Sequence, residues 1–356
     1  MASRPTFLLA ASALLLPLLT HVTPVGAIEP IAPSDSSGEV VDVTPTTATL
    51  SAKKRHTRFF SANFEAEAGE TRFVGTELVV LDAKGTSPNE LFVGVTLSCK
   101  SPSGRVTSAE TGRNVWPAAP SFTIPVAFSF VTDAAGTHNC QATVMMCQPG
   151  NCSSPTGTGT VRIVTQKMNP RAYSLLYIST ALPAWSQSQR APSSGRDQVV
   201  KPGRSYTIRQ SFDMSDSSGP VRFGSIMSIT NCIEKSFPTS CKRAGSTKIN
   251  GSSRVTLSAT LTQVATTPDA TCTTARATSA TGAGTTTITW QQHHAVLSIR
   301  IPDLTLSDDP GCSDTVNLAI TVRVAKGNAA VIEPGTKAKT TSIVYAVPGD
   351  AIPNAS

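Results

Sequence analysis

The chain has 356 residues, a formal net charge of +7 and only 15% charged residues, with aromatics at 5%. Scattered cations and few aromatics exclude a nucleic-acid binder, which needs a clustered basic face and often stacking rings. The mild positive charge suits either a plain solvated surface or attraction to an extracellular protein or an anionic glycan.

The N-terminus reads as a secretory signal. Arg4 supplies the positive region, residues 7–19 are apolar, and Val25, Gly26 and Ala27 are the small residues of a cleavage site. That run is shorter than the roughly 20 residues a bilayer demands. Residues 1–27 are therefore expected to be a signal peptide, the mature chain to be secreted, and no membrane span to follow. Residues 28–55 are rich in Pro, Ser, Thr and Val and read as a flexible segment, closing on the basic run Lys53-Lys54-Arg55.

From 56 to 168 the pattern is that of strands. Residues 72–81 and 91–99 are rich in β-branched side chains, and Val126, Phe128 and Phe130 alternate with Ala127, Ser129 and Val131. A period of two marks a strand with one buried face. Residues 160–165 form a plausible closing strand. Residues 169–201 read as an interdomain passage, with a strand over 173–178 and a polar loop over 186–196. A second domain is expected over 202–347, with strands at 205–212, 221–230, 255–264, 285–290, 295–301, 316–324 and 341–346, and a tail over 348–356. Many short strands with turn signals between them point to a sandwich or barrel.

The eight cysteines carry the strongest pattern. Cys99 precedes Cys140 and Cys232 precedes Cys272 at nearly the same spacing, and each first cysteine closes an apolar run (93–99 and 226–232). Phe73 and Tyr206 precede their respective cysteines equally. This reads as a tandem repeat of one disulfide-stapled β domain. In an exported chain an even cysteine count means disulfides. One scheme pairs Cys99–Cys140, Cys232–Cys272, Cys147–Cys152 and Cys241–Cys312; the alternative pairs Cys232–Cys241 and Cys272–Cys312.

The run Val95-Thr96-Leu97-Ser98-Cys99 resembles the B strand of an immunoglobulin-like domain, and Asp133-Ala134-Ala135-Gly136-Thr137-His138-Asn139-Cys140 is similar to that family's approach to its F strand. The resemblance implies that Cys99–Cys140 joins two sheets and that Trp116 packs on the bridge. It gives the expected fold: all-β, two tandem disulfide-stabilised Greek-key (Ig-like) β-sandwich domains.

Signals for chemistry are weak. The Gly-x-Ser-x-Gly elbow of α/β hydrolases is absent. Asp308-Asp309 stands in a turn-forming context with Pro310 and Gly311. His293 and His294 are adjacent, so in a strand they point to opposite faces and cannot both ligate one metal. No metal or cofactor is expected. Trp290, Gln292, His293 and His294 form a candidate recognition patch. Asn151, Asn250 and Asn354 sit in glycosylation sequons. The expected function is a non-enzymatic secreted binding or structural module acting through sandwich-end loops, at residues 100–114, 147–158 and 232–250. Two alternatives stay open. One is an extracellular hydrolase gathering His293 or His294 with Asp308, Asp309 or Asp314. The other is a protease-inhibitor-like protein presenting a Cys147–Cys152 loop.

Overall fold

The computed structural model describes residues 38–41, 48–51, 56–85, 91–115, 118–147, 159–163, 175–179, 182–183, 185–215, 217, 219–233, 239–243, 248, 250–267, 272, 276–277, 284–301, 303–335 and 340–351. The signal peptide, Trp116, Cys152, Asn151, Asn354 and most of the expected 147–158 loop lie outside them. The described residues are all-β, with two short 3-10 turns. In chain order the strands are β1 (Gly38–Val41), β2 (Ala48–Ser51), β3 (His56–Ala66), β4 (Thr71–Gly85), β5 (Leu91–Lys100), β6 (Val106–Val115), β7 (Ala118–Val131), β8 (Gly136–Cys147), β9 (Gly159–Ile163) and β10 (Leu175–Ser179). The second half adds β11 (Gln187–Arg190), β12 (Gln198–Val200), β13 (Ser205–Asp213), β14 (Val221–Asn231), β15 (Ser253–Ala265), β16 (Arg276–Ala277), β17 (Gly284–Ile288), β18 (His294–Arg300), β19 (Cys312–Gly327), β20 (Ala330–Ile332) and β21 (Ile343–Pro348).

Four sheets result. The first half builds an outer sheet in the order β3-β8-β5-β6 and an inner one, β1-β10-β4-β9-β2, with β7 also on β4. The second half builds an outer sheet β13-β19-β15-β16, with β17 also on β15, and an inner one β11-β21-β14-β20-β12, with β18 on β14. β16 aside, the strand orders of the two halves correspond. β3, β4, β5, β6, β7, β8, β9 and β10 occupy the places of β13, β14, β15, β17, β18, β19, β20 and β21.

Each sheet pair closes on its own core, as period-two patterning requires. Val74, Leu78 and Val80 of β4 meet Val93, Val95 and Leu97 of β5 in one. Phe223, Met227 and Ile229 of β14 meet Leu257, Leu261, Leu318 and Ile320 in the other. A third cluster packs the backs of the inner sheets together through Phe73, Ala127, Tyr177, Ile226, Ile343 and Tyr345. β14 is accordingly buried along its whole length, and between Arg222 and Asn231 near its ends its sequence is apolar or small on both faces.

Several expectations change. Cys99 lies directly opposite Cys140 on neighbouring strands of one sheet, with Cα atoms 4.0 Å apart. The bridge therefore clamps two adjacent strands; it does not join two sheets as the immunoglobulin resemblance implies. In the second half the alternative scheme holds: Cys232 bonds Cys241, and Cys272 bonds Cys312. Cys232–Cys272 and Cys241–Cys312 are not formed, because Cys232 ends inner strand β14 while Cys272 follows outer strand β15. The sequence alignment of the expected repeat is out of step, by one strand, with the correspondence of strand order between the halves. The apolar runs 93–99 and 226–232 are β5 and β14, which are not equivalent, and Phe73 and Tyr206 lie on the non-equivalent β4 and β13. The segment 28–55 contains strands β1 and β2, paired with β10 and β9. The loop expected at 186–196 contains β11, an edge strand on β21. The loop expected at 100–114 is mostly strand β6.

Candidate functional site

The contact between the inner sheets gathers most of the buried ionisable side chains. Arg300 of β18 donates to Glu77 of β4 across it. Next to the ladder position of Arg300, Tyr345 stands opposite Gly224. On the facing sheet Tyr177 stands opposite Gly75. Phe73 lies between the tyrosines, 6.3 Å from the Tyr177 ring and 5.3 Å from that of Tyr345. Burial pushes both phenols well above the ordinary tyrosine range, so neither is a base at neutral pH.

The expected recognition patch lies along one edge of this contact. His293 is buried, and its Nδ1 is 3.0 Å from Asn114 Nδ2 of β6. The Gln292 side-chain oxygen Oε1 accepts from Arg113 at 3.4 Å. His294 meets the Phe92 ring edge-on at 5.8 Å. Gln292 and His293 thus tie the start of β18 to β6, and His294 reaches β5; of the four, His293 is buried, Gln292 and His294 are half-buried, and Trp290 is 36% exposed.

Behind His294 sits an arrangement that no sequence motif announced. The Thr230 hydroxyl donates to Glu333 Oε1 at 2.7 Å, which leaves its oxygen to accept from His294 Nδ1 at 2.7 Å. Thr340 donates to the other Glu333 oxygen. A hydroxyl between an imidazole and a carboxylate is the raw material of nucleophilic catalysis. Here Thr230 is fully buried and Glu333 nearly so, so no substrate reaches the oxygen. Asp308, Asp309 and Asp314 do not join the histidines. His294 pairs with Thr230 at one end of β14, while the chain leaves β18 past the other end, where Leu304 bridges Val221. Among the described residues no group of three His, Cys, Asp or Glu is placed to hold a metal.

Exposed features concentrate at the sandwich ends. The β5–β6 turn is closed by Gly104, which adopts φ +89° and donates to the Ser101 carbonyl at 2.9 Å. Ser103 donates to Asp133 of the β7–β8 turn at 2.6 Å, and that hydrogen bond holds the Asp133 carboxyl below the usual range. Val106 and Val131 flank the paired turns at 58% and 56% exposure. At the other half, Cys232–Cys241 staples the segment after β14, and Asn250 is exposed on a turn closed from Gly251 to Lys248 at 3.1 Å.

No known protein family matches the chain. No curated protein matches it either. Among solved structures, that of infectious bursal disease virus Gt strain aligns over 89% of this chain at 9% identity and a TM-score of 0.26, and the chain spans 46% of it. The N-terminal CBM22-1–CBM22-2 tandem domain of Paenibacillus barcinonensis Xyn10C aligns over 91% of this chain and 98% of its own, at 9% identity and a TM-score of 0.23. The STIV MCP aligns over 85% of this chain and 97% of its own, at 7% identity and a TM-score of 0.22. None of these likenesses bears on what the chain does. No helix among the described residues is long and apolar enough to cross a membrane.

Proposed function

We propose that the chain is an exported, non-enzymatic binding or structural module made of two tandem β-sandwich domains that share one strand order, an order that sets β5 beside β8 in one sheet where the immunoglobulin arrangement puts the cysteine-bearing strands in opposite sheets. The observation that carries this reading is the use made of the ionisable groups. His293, His294, Glu77 and Arg300 are engaged between the two sheet pairs, through Asn114, the Phe92 ring and the Arg300–Glu77 bond, where they fix the halves to one another, and Glu333 is taken up by Thr230 and Thr340 behind them. Three disulfides formed within the described residues suit an oxidising compartment, and the signal-like N-terminus gives the route there. A scaffold locked in this way leaves recognition to its ends and outer faces. The paired turns carrying Ser103, Arg105 and Asp133, framed by exposed Val106 and Val131, are the best-formed candidate contact among the loops.

The test is retention of the mature chain on the extracellular matrix of the producing cells, wild type against Ser103→Ala/Arg105→Ala/Asp133→Ala. Loss of retention with unchanged melting temperature is the expected result. Equal retention would remove this end from the site. Turnover of an extracellular polymer that disappears in Thr230→Val would overturn the non-enzymatic reading.

A further inference from the structure

The outer sheet of the second half has an uneven charge layout. Its strands β13, β15, β17 and β19 present hydroxyls outward in cross-strand pairs: Thr207 with Thr321 at 3.0 Å, Thr256 with Thr285 at 2.9 Å, and Ser211 with Asn317 at 2.7 Å. The acids on these four strands, Asp213 and Asp314, both lie at one end. The cations are Arg209, Arg254, Arg323 and Lys326, and the last three crowd the other end. Arg254 is directly opposite Lys326, and Arg323 is diagonal to Arg254, opposite Thr256. The turn before β13 docks on the same spot, with Gly203 N donating to Val324 O at 2.8 Å and Val324 N to Arg204 O at 3.0 Å. That brings the exposed Arg204 beside them.

Like charges directly opposite each other on a sheet destabilise it. Arg254, Arg323 and Lys326 make no ion pair or hydrogen bond among the described residues that would offset the repulsion. An anion laid across this end would. The outward positions of the four strands carry no aromatic ring, so the face offers no stacking platform for bases; its hydroxyl rows match a surface that is itself rich in hydroxyls. Arginine's planar fork fits carboxylate and sulfate groups in two-point contacts.

We propose that the basic end of this outer face binds a linear polyanionic polysaccharide, with Arg254, Arg323 and Lys326 holding its anionic groups and the adjoining Thr and Ser rows hydrogen-bonding its hydroxyls. The proposal rests on the reading of the chain as an exported binding module and names the ligand class of a second surface, distinct from the Ser103–Asp133 turns.

The experiment titrates the full mature chain with two defined probes, heparin and a single-stranded DNA of similar length and charge. It compares wild type with Arg254→Gln/Arg323→Gln and with the control Lys100→Gln/Arg196→Gln, which removes two exposed charges elsewhere. Expected is wild-type binding to heparin at about 0.15 M salt, tighter than to DNA. The face variant should lose about tenfold or more with a shallower salt dependence, and the control should stay within about twofold. The double Lys variant Arg254→Lys/Arg323→Lys keeps the charge and should lose less than the Gln variant. Equal losses in face variant and control would overturn the proposal, since net charge alone would then explain binding. So would the absence of heparin binding by the wild type, or equal affinity for DNA. These failures leave the turn-based reading standing, because that is read out by the Ser103/Arg105/Asp133 variant alone.

Discussion

Gly75 and Tyr177 face each other on β4 and β10, and the phenol ring lies across the glycine so closely that a Cβ there would come within 2.1 Å of ring carbon Cζ. Gly224 and Tyr345 repeat the relation on β14 and β21, with the added carbon 2.4 Å from the hydroxyl. Each glycine is there for close approach and not for an unusual backbone angle. Together the two pairs let the inner sheets pack back to back around Phe73.

Gly75→Ala should therefore destabilise the protein by about 1–3 kcal/mol through overpacking. Gly224→Ala should do the same. Thermal melting checks both, since about 1 kcal/mol moves the midpoint of a chain this size by some 2–4 °C. The reciprocal change Phe73→Ala, which empties the space between the rings, should cost about 3–5 kcal/mol.

The Arg300–Glu77 pair bridges the halves with both side chains largely covered. Arg300→Leu or Glu77→Leu alone strands the other charge and should cost about 3–5 kcal/mol, whereas the double Leu variant should recover much of the loss. Chemical denaturation of the four-member cycle measures the coupling. Equal additive losses would mean that the pair is solvated.

Burial raises the Glu110 carboxyl above its ordinary value, against the weaker opposing hydrogen bond from Thr96 at 3.1 Å. A carboxyl with a raised folded value holds its proton more tightly folded than unfolded. Its presence therefore costs nothing at low pH, and the penalty grows as pH rises through the unfolded and then the folded value. Glu110→Gln should raise the melting temperature at neutral pH, and the gain should vanish by about pH 3. A gain independent of pH would contradict the burial argument.

The two second-half disulfides should differ in worth. Breaking Cys272–Cys312, separation 40, removes a long loop constraint of about 4 kcal/mol, and breaking Cys232–Cys241, separation 9, about 2.5 kcal/mol. Paired Cys→Ser variants in urea would rank them. The reverse order would show that native packing around buried Cys232 and Cys241 outweighs chain entropy.

Much of the strand pattern was legible, by period two where one face is buried, as in β7, β13, β15 and β19, and by β-branched content in β4 and β5. The edge strands β11 and β12 and the interior strand β20 escaped, being only three or four residues long and lacking a long apolar run. The cysteine spacing was a true signal attached to the wrong residue. Cys99–Cys140 has separation 41 and Cys272–Cys312 has separation 40, and both bridge the equivalent strand pairs β5–β8 and β15–β19 or their immediate ends. Cys232, at a similar distance before Cys272, drew the alignment one strand out of register. The repeat's better marker was Gly75 with Tyr177 against Gly224 with Tyr345, whose partners lie too far apart in sequence to be paired by eye. The same holds for His293, whose burial depends on Asn114 of β6, in the other half of the chain.

Differential scanning calorimetry of the mature chain, wild type beside His293→Ala/Glu77→Gln, tests most directly whether the ionisable seam is structural. A single transition whose calorimetric and van't Hoff enthalpies agree, shifted down or split in the variant, is the expected result. Two independent transitions in the wild type, with the variant unchanged, would contradict it: the seam would then hold nothing together.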